Sequence, residues 1–214
     1  MTYPNASAGV KKLVAAEALQ IISAGLALIV AILSFAALAG TMNAIATGSE
    51  TSLAGAAASG IGIIILSIGM LVLSIISTVF TLIGLKKCSA DEPKNFNIAF
   101  YAAIAVLVLG FLGGVLSAVP VIANIMKTLA NIGNVAVFVF TVSGIGELAN
   151  QLNRADIANL GKTILIVMCA SALLSIIGTF VSGIFAIIAA IVSIVCYIIY
   201  LVYLTKAKAM LESN

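Results

Sequence analysis

The sequence predicts an all-α, polytopic integral membrane protein, a bundle of six transmembrane helices arranged as three consecutive hairpins with both termini cytoplasmic. Three observations predict it. Hydrophobic residues make up 63% of the chain and charged residues 8%, with a mean hydropathy of +1.30, where a soluble domain carries about 25% charged residues. Apolar runs long enough to cross a bilayer follow one another with only short polar interruptions. Basic residues gather at alternate interruptions. The even spread of apolar runs predicts a single transmembrane domain over residues 1–214.

A helix rises about 1.5 Å per residue and the hydrocarbon core is about 30 Å thick, so a crossing needs roughly 20 mostly apolar residues. The first run provides a span at about 17–40. Lys11 and Lys12 ahead of it look like the start of a signal peptide, but the run continues to Gly40, past a short h-region, and reads as a retained first span. Residues 41–52 form a polar bend with Glu50 as its one charge. No charge follows until Lys86. As one helix that stretch measures about 50 Å, so the Ala- and Gly-rich residues 53–60 are placed beyond the membrane and the second span at 61–83.

Residues 84–101, GLKKCSADEPKNFNIAFY, form the first of two cytoplasmic bends. Asp91 and Glu92, just before Pro93, predict a helix start, because acids favour a helix N-terminus and proline fits its first turn. The third span is 98–118, ended by a break at Pro120. In 121–132, Ile122, Ile125, Met126, Leu129 and Ile132 recur at helical spacing opposite Asn124, Lys127, Thr128 and Asn131. Two readings stay open: an interfacial helix, or the outer part of a long, tilted fourth span at 128–148. The second cytoplasmic bend is 144–162, GIGELANQLNRADIANLGK. Residues 163–205 are free of charge and interrupted by GTFVSG, giving spans at 162–178 and 184–205.

Under this assignment nine of the ten basic residues fall on one side and Lys127 alone on the other. The positive-inside rule makes the basic side cytoplasmic, so that Ser49 is expected to be reachable from outside and Cys88 from the cytoplasm. A β-barrel needs alternating polarity, whereas IIILSIGMLVLSII is apolar on every face. The scattered basic residues form no nucleic-acid footprint. The partners expected are membrane lipids, with a membrane-protein partner or a second copy of the chain.

The chemistry available is sparse. There is no His, and the three Cys have no C-x-x-C spacing, so neither a metal site nor a disulfide framework is expected. No paired intramembrane acids accompany a nucleophile, and the serines within the spans are expected to bond their own backbone. The expectation is a non-enzymatic protein without cofactor. One candidate intramembrane polar pair stands out, Glu17 with Gln20 one turn away. Glu17 reads either as an interfacial carboxylate near Lys11 and Lys12 or as a coupling group for protons or cations. Glu147 and Asn150 read as a solvated border of the fourth span, and Asn124, Asn131 and Asn134 as outer-side amides of a vestibule or a surface helix. Without a hydrophobic force between helices in lipid, association rests on small residues four apart. The candidate helix-packing pairs are Ala27 and Ala31, Ala36 and Gly40, Gly114 and Ala118, Gly178 and Ser182, and Ala186 and Ala190.

The pattern Leu82-Ile83-Gly84-Leu85-Lys86-Lys87, then Ser89, Asp91, Pro93, Phe96 and Ala99 leading into the next span, resembles small uncharacterised six-span prokaryotic integral membrane proteins. The likeness covers mainly residues 82–110 and carries over no site residue. Six spans in so short a chain are also similar to the substrate-binding membrane subunits of energy-coupling-factor vitamin transporters. That resemblance implies a first helix docking a partner through Ala27 and Ala31. The Pro-x-acidic-x-x-basic signature of mitochondrial carriers is missing. The expected role is a scaffold or accessory subunit of a plasma-membrane assembly, the alternative a small-solute channel or transporter component.

Overall fold

The computed structural model describes residues 2–47, 50–180 and 184–213, with the side chains at 44, 50–59, 120, 171–180, 184–191 and 193 outside that description. Among the described residues six α-helices follow one another: α1 (Pro4–Thr47), α2 (Glu50–Asp91), α3 (Pro93–Val115), α4 (Pro120–Gln151), α5 (Ala155–Phe180) and α6 (Ile184–Glu212). A 3-10 turn, Leu116–Ala118, lies between α3 and α4. No strand occurs among the described residues. Five stretches among them are long and apolar enough to cross a membrane: Pro4–Thr47, Gly60–Asp91, Pro93–Ala118, Val121–Gln151 and Ile194–Glu212. The chain is therefore a multi-pass, all-helical membrane protein. Part of the GTFVSG turn, residues 181–183, lies outside the described residues.

The helices run further than the apolar spans. The expected bend over 84–101 contracts to one residue, Glu92, because Lys86, Lys87 and Ser89 continue a helix in water as readily as apolar residues do in lipid. Only Pro93, which has no N–H to give the preceding turn, breaks the ladder. Gly84 does not end α2; its missing side chain instead lets α1 approach. The bend over 144–162 likewise contracts to residues 152–154, where Asn153 takes the left-handed conformation at φ 56°, which Asn tolerates. Residues 121–132 are the first turns of one long helix, α4, which is continuous from Pro120 to Gln151.

Packing divides the chain into two units, one of Met1–Ala15 with Val79–Asn214, the other of Ala16–Thr78. In the first unit α3 and α4 pair antiparallel: a methyl group added at Gly133 would meet Val106, one at Gly113 would meet Met126, and one at Gly144 the Phe96 ring. Helices α5 and α6 pack on α4 and on each other. Phe138 and Tyr200 meet edge to face at 4.6 Å, and the Tyr203 hydroxyl donates to the Val142 carbonyl at 3.4 Å. Residues 4–15 of α1 lie against the last turns of α2, with Gly9 facing Gly84 and Cys88 so closely that a methyl group on Gly9 would stand 2.6 Å from the Gly84 carbonyl oxygen. The fully buried side chains Val10, Leu85, Cys88, Phe96, Ile145, Leu148, Tyr203 and Leu204 concentrate where the first unit's helices begin or end. This region carries both described chain ends and the two short turns at Glu92 and 152–154.

The second unit is an antiparallel pair, residues 16–47 of α1 and 50–78 of α2. The Ser77 hydroxyl donates to the Ala16 carbonyl at 3.0 Å. Ser34, Thr41, Thr47 and Thr78 donate to carbonyls one turn back, which satisfies their hydroxyls within each helix. Among its described side chains only Ala16, Glu17 and Ser77 are buried.

Candidate functional site

The polar chemistry of the first unit is gathered at its densely packed end. Glu92 is the N-cap of α3: its carboxylate accepts from the Asn95 N–H at 3.0 Å, the Phe96 N–H at 3.3 Å and the Asn95 side-chain amide at 3.1 Å. Although it is a carboxylate, Glu92 is buried, because the free N–H groups of α3 stand in for water. Asp91 turns the other way. One of its oxygens accepts from the Ala6 N–H at 2.7 Å and the other from the Asn5 amide at 2.9 Å, so it caps α1 from the end of α2. The Tyr3 hydroxyl donates to Gln151 at 2.6 Å, tying the start of α1 to the end of α4.

Nine basic residues, Lys11, Lys12, Lys86, Lys87, Lys94, Arg154, Lys162, Lys206 and Lys208, belong to the helix ends and turns that meet here. Two have their amines over aromatic rings, Lys12 at 4.6 Å from the Phe80 centroid and Lys86 at 5.4 Å from that of Phe100. Arg154 grips Asp156 with two hydrogen bonds of 3.0 and 2.9 Å. These hold the Asp156 carboxyl below the usual carboxylate range. The result is a basic collar in which Asp91 and Glu92 are engaged as caps and Asp156 and Glu212 as ion-pair partners, while Glu147 stands exposed at its border.

Cys88, expected to be reachable from the cytoplasm, is fully buried, its thiol donating to the Ala6 carbonyl at 3.7 Å. The polar residues around it suggest exposure in the sequence. Yet Gly9 and Gly84 bring α1 onto the very face of α2 that carries Cys88. Ser49 lies outside the described residues.

Glu17 and Gln20 are on α1, but the two differ in surroundings: Glu17 is 6% exposed and Gln20 is exposed. The Glu17 Oε1 atom has no hydrogen-bond partner among the described residues. Of the small-residue pairs, Ala27, Ala31, Ala36, Gly114 and Ala118 are exposed and Gly40 is half-buried. Gly114 faces open space. Ser182 and the side chains at Gly178, Ala186 and Ala190 lie outside the described residues. The close approaches fall instead at Gly9, Gly84, Gly133, Gly144 and Gly161. Spacing did not mark these, since several act singly against a large side chain: Gly144 against Phe96, Gly161 against Tyr203.

No family model, curated protein or solved structure matches this chain. Any reading of function therefore rests on the geometry. Among the described residues no three acidic, His or Cys side chains come together as a metal site. What the arrangement provides is a densely tied helix junction ringed with cations and a sparsely packed apolar hairpin.

Proposed function

We propose that the protein is a non-enzymatic scaffold or accessory subunit of a plasma-membrane assembly, crossing the bilayer six times with both termini in the cytoplasm. The observation that carries this reading is the hairpin Ala16–Thr78, which buries only three of its described side chains. Along it Phe35 is 70% exposed and Ile45 81%, and Ala27, Ala31 and Ala36 interrupt the large side chains. In lipid, small residues between large ones let another helix approach closely. The proposed sidedness is supported by the positive-inside rule, nine of the ten basic residues falling on one side under this assignment.

A photo-crosslinking residue at Phe35, activated in native membranes, tests the scaffold role. One protein adduct at fixed stoichiometry is expected, and it should weaken when Ala31 is changed to Leu. Adducts to lipid alone would overturn the reading.

A second reading, a transport component, is favoured by Glu17, a buried carboxyl with one oxygen unpartnered among the described residues. Intramembrane carboxyls are costly and typical of ion and proton pathways. Proton-coupled solute flux into vesicles that is lost in Glu17→Gln supports it, and flux unchanged in that variant removes Glu17 from any pathway.

A further inference from the structure

We propose that a cleft between α3 and α4 holds the headgroup of an anionic phospholipid at the membrane border opposite the basic collar. Lys127 is the counter-charge of the phosphate, and Ser117 and Asn131 are its hydrogen-bond donors.

The cleft follows from the glycines of α3. Gly113 is pressed against α4, a methyl group there coming within 3.2 Å of the Met126 Cβ, whereas the same addition at Gly110 or Gly114 would meet nothing within 4 Å. Gly110 and Gly114 share one face of α3, one turn apart. With no side chains on that face, a space of about 340 Å³ opens between Gly110, Gly114 and Ser117 on one side and Lys127, Ala130 and Asn131 on the other. Leu109 adds an apolar wall. The side chains of Lys127, Ser117 and Asn131 make no hydrogen bond or ion pair among the described residues.

Depth and charge identify the occupant. Lys127 and the exposed Glu147 belong to one continuous helix and stand about 30 Å apart along it, the thickness of the hydrocarbon core. With Glu147 at the collar border, Lys127 is level with the phosphates of the opposite leaflet. It is the one charged residue from Ile98 to Gly146, and residues 163–205 contain none, so within the first unit nothing near that border neutralises it. A cation beside two neutral donors suits a phosphodiester, and the glycine, alanine and leucine walls suit the glycerol and upper acyl chain. A net negative headgroup is preferred over a zwitterionic one, whose own ammonium offsets the phosphate.

The chain has no Trp, so Phe111→Trp, at an exposed position beside Gly110, gives a single reporter. The full chain is reconstituted in phosphatidylcholine vesicles in which a fraction of either phosphatidylglycerol or phosphatidylcholine carries brominated chains. At equal fractions, brominated phosphatidylglycerol should be favoured at the reporter by about fivefold to tenfold. That preference should vanish in Lys127→Gln, which alters an exposed side chain, and in Gly114→Leu, which fills the cleft where the fold leaves room. Lys87→Gln, at the other end of the first unit, should leave it unchanged. Equal quenching by both lipids, or a preference that survives both variants, overturns the proposal. Loss of the preference on adding millimolar inorganic phosphate at constant ionic strength also overturns it, assigning the cleft to a soluble anion.

Discussion

Asp91 caps a helix to which it does not belong: at the end of α2, it accepts the Ala6 N–H of α1 at 2.7 Å and the Asn5 amide at 2.9 Å. Helix α1 begins at Pro4 with Tyr3 before it, neither of which supplies a capping oxygen from its side chain. A negative charge at this position also opposes the positive end of the helix dipole. The cap therefore fastens the first helix to the second as well as completing it. Replacing Asp91 by Ala should destabilise the folded protein by about 1–2 kcal/mol, seen as a lower thermal midpoint in detergent. Asp91→Asn, which keeps an acceptor but not the charge, should fall between. If both variants unfold with the wild type, the contact contributes nothing to stability.

Gly144 and Gly146, on the same helix, should respond to alanine with opposite signs. A methyl group at Gly144 would come within 2.7 Å of the Phe96 ring, and Phe96 is fully buried. Overpacking of this kind costs about 1–3 kcal/mol. At Gly146 the same methyl group meets nothing within 4 Å, and the gain in helix propensity is up to about 1 kcal/mol. Thermal unfolding of Gly144→Ala and Gly146→Ala checks this. Shortening the ring in Phe96→Leu should recover part of the Gly144→Ala loss, and a loss that is purely additive in the double variant would contradict the contact.

These two sites show where the sequence stops being readable. Helix class, apolar spans and the Pro93 start follow from composition, run length and proline chemistry, all local. Glu92 as a cap was legible for the same reason, since its partners Asn95 and Phe96 are its neighbours in the chain. Asp91 looked identical in one dimension, but its partner lies at the other end of a hairpin, and no periodicity encodes that. The close glycines were equally hidden. Gly9 and Gly144 matter because of what faces them, whereas four-residue spacing drew attention to Ala27 and Ala31, which lie exposed. Element ends are not legible from polarity, because polarity marks the membrane border and a helix does not stop there.

The Arg154–Asp156 pair gives a pH signature at the α4–α5 turn. Asp156 is held below the usual carboxylate value by the hydrogen bonds from Arg154. A carboxyl depressed by folding contributes stability that is present above its ordinary pKa of about 3.9. That contribution is lost as the pH falls through the lower folded value. In Arg154→Gln the Asp156 midpoint, followed by NMR of the labelled carboxyl, should rise toward the ordinary value. Because both groups are exposed, the thermal midpoint at neutral pH should barely move. An unchanged carboxyl midpoint would show that the pair does not persist in solution.

Burial of Cys88 alters how the proposed sidedness must be tested. Its thiol is enclosed by α1 and α2, so a membrane-impermeant maleimide should leave it unmodified from either side until the protein is denatured. Positions on the exposed surface report instead: Lys87→Cys in the collar and Asn124→Cys on the first turns of α4. If the collar faces the cytoplasm, intact cells should label Asn124→Cys, while Lys87→Cys should react only after the membrane is opened. The two lie on different helices, separated by the whole of α3, which must cross the membrane once for the labels to differ. Labelling of both from the same side would remove that crossing and with it the three-hairpin arrangement. Labelling of Lys87→Cys alone in intact cells would keep the crossing but invert the protein, against the weight of nine cations to one.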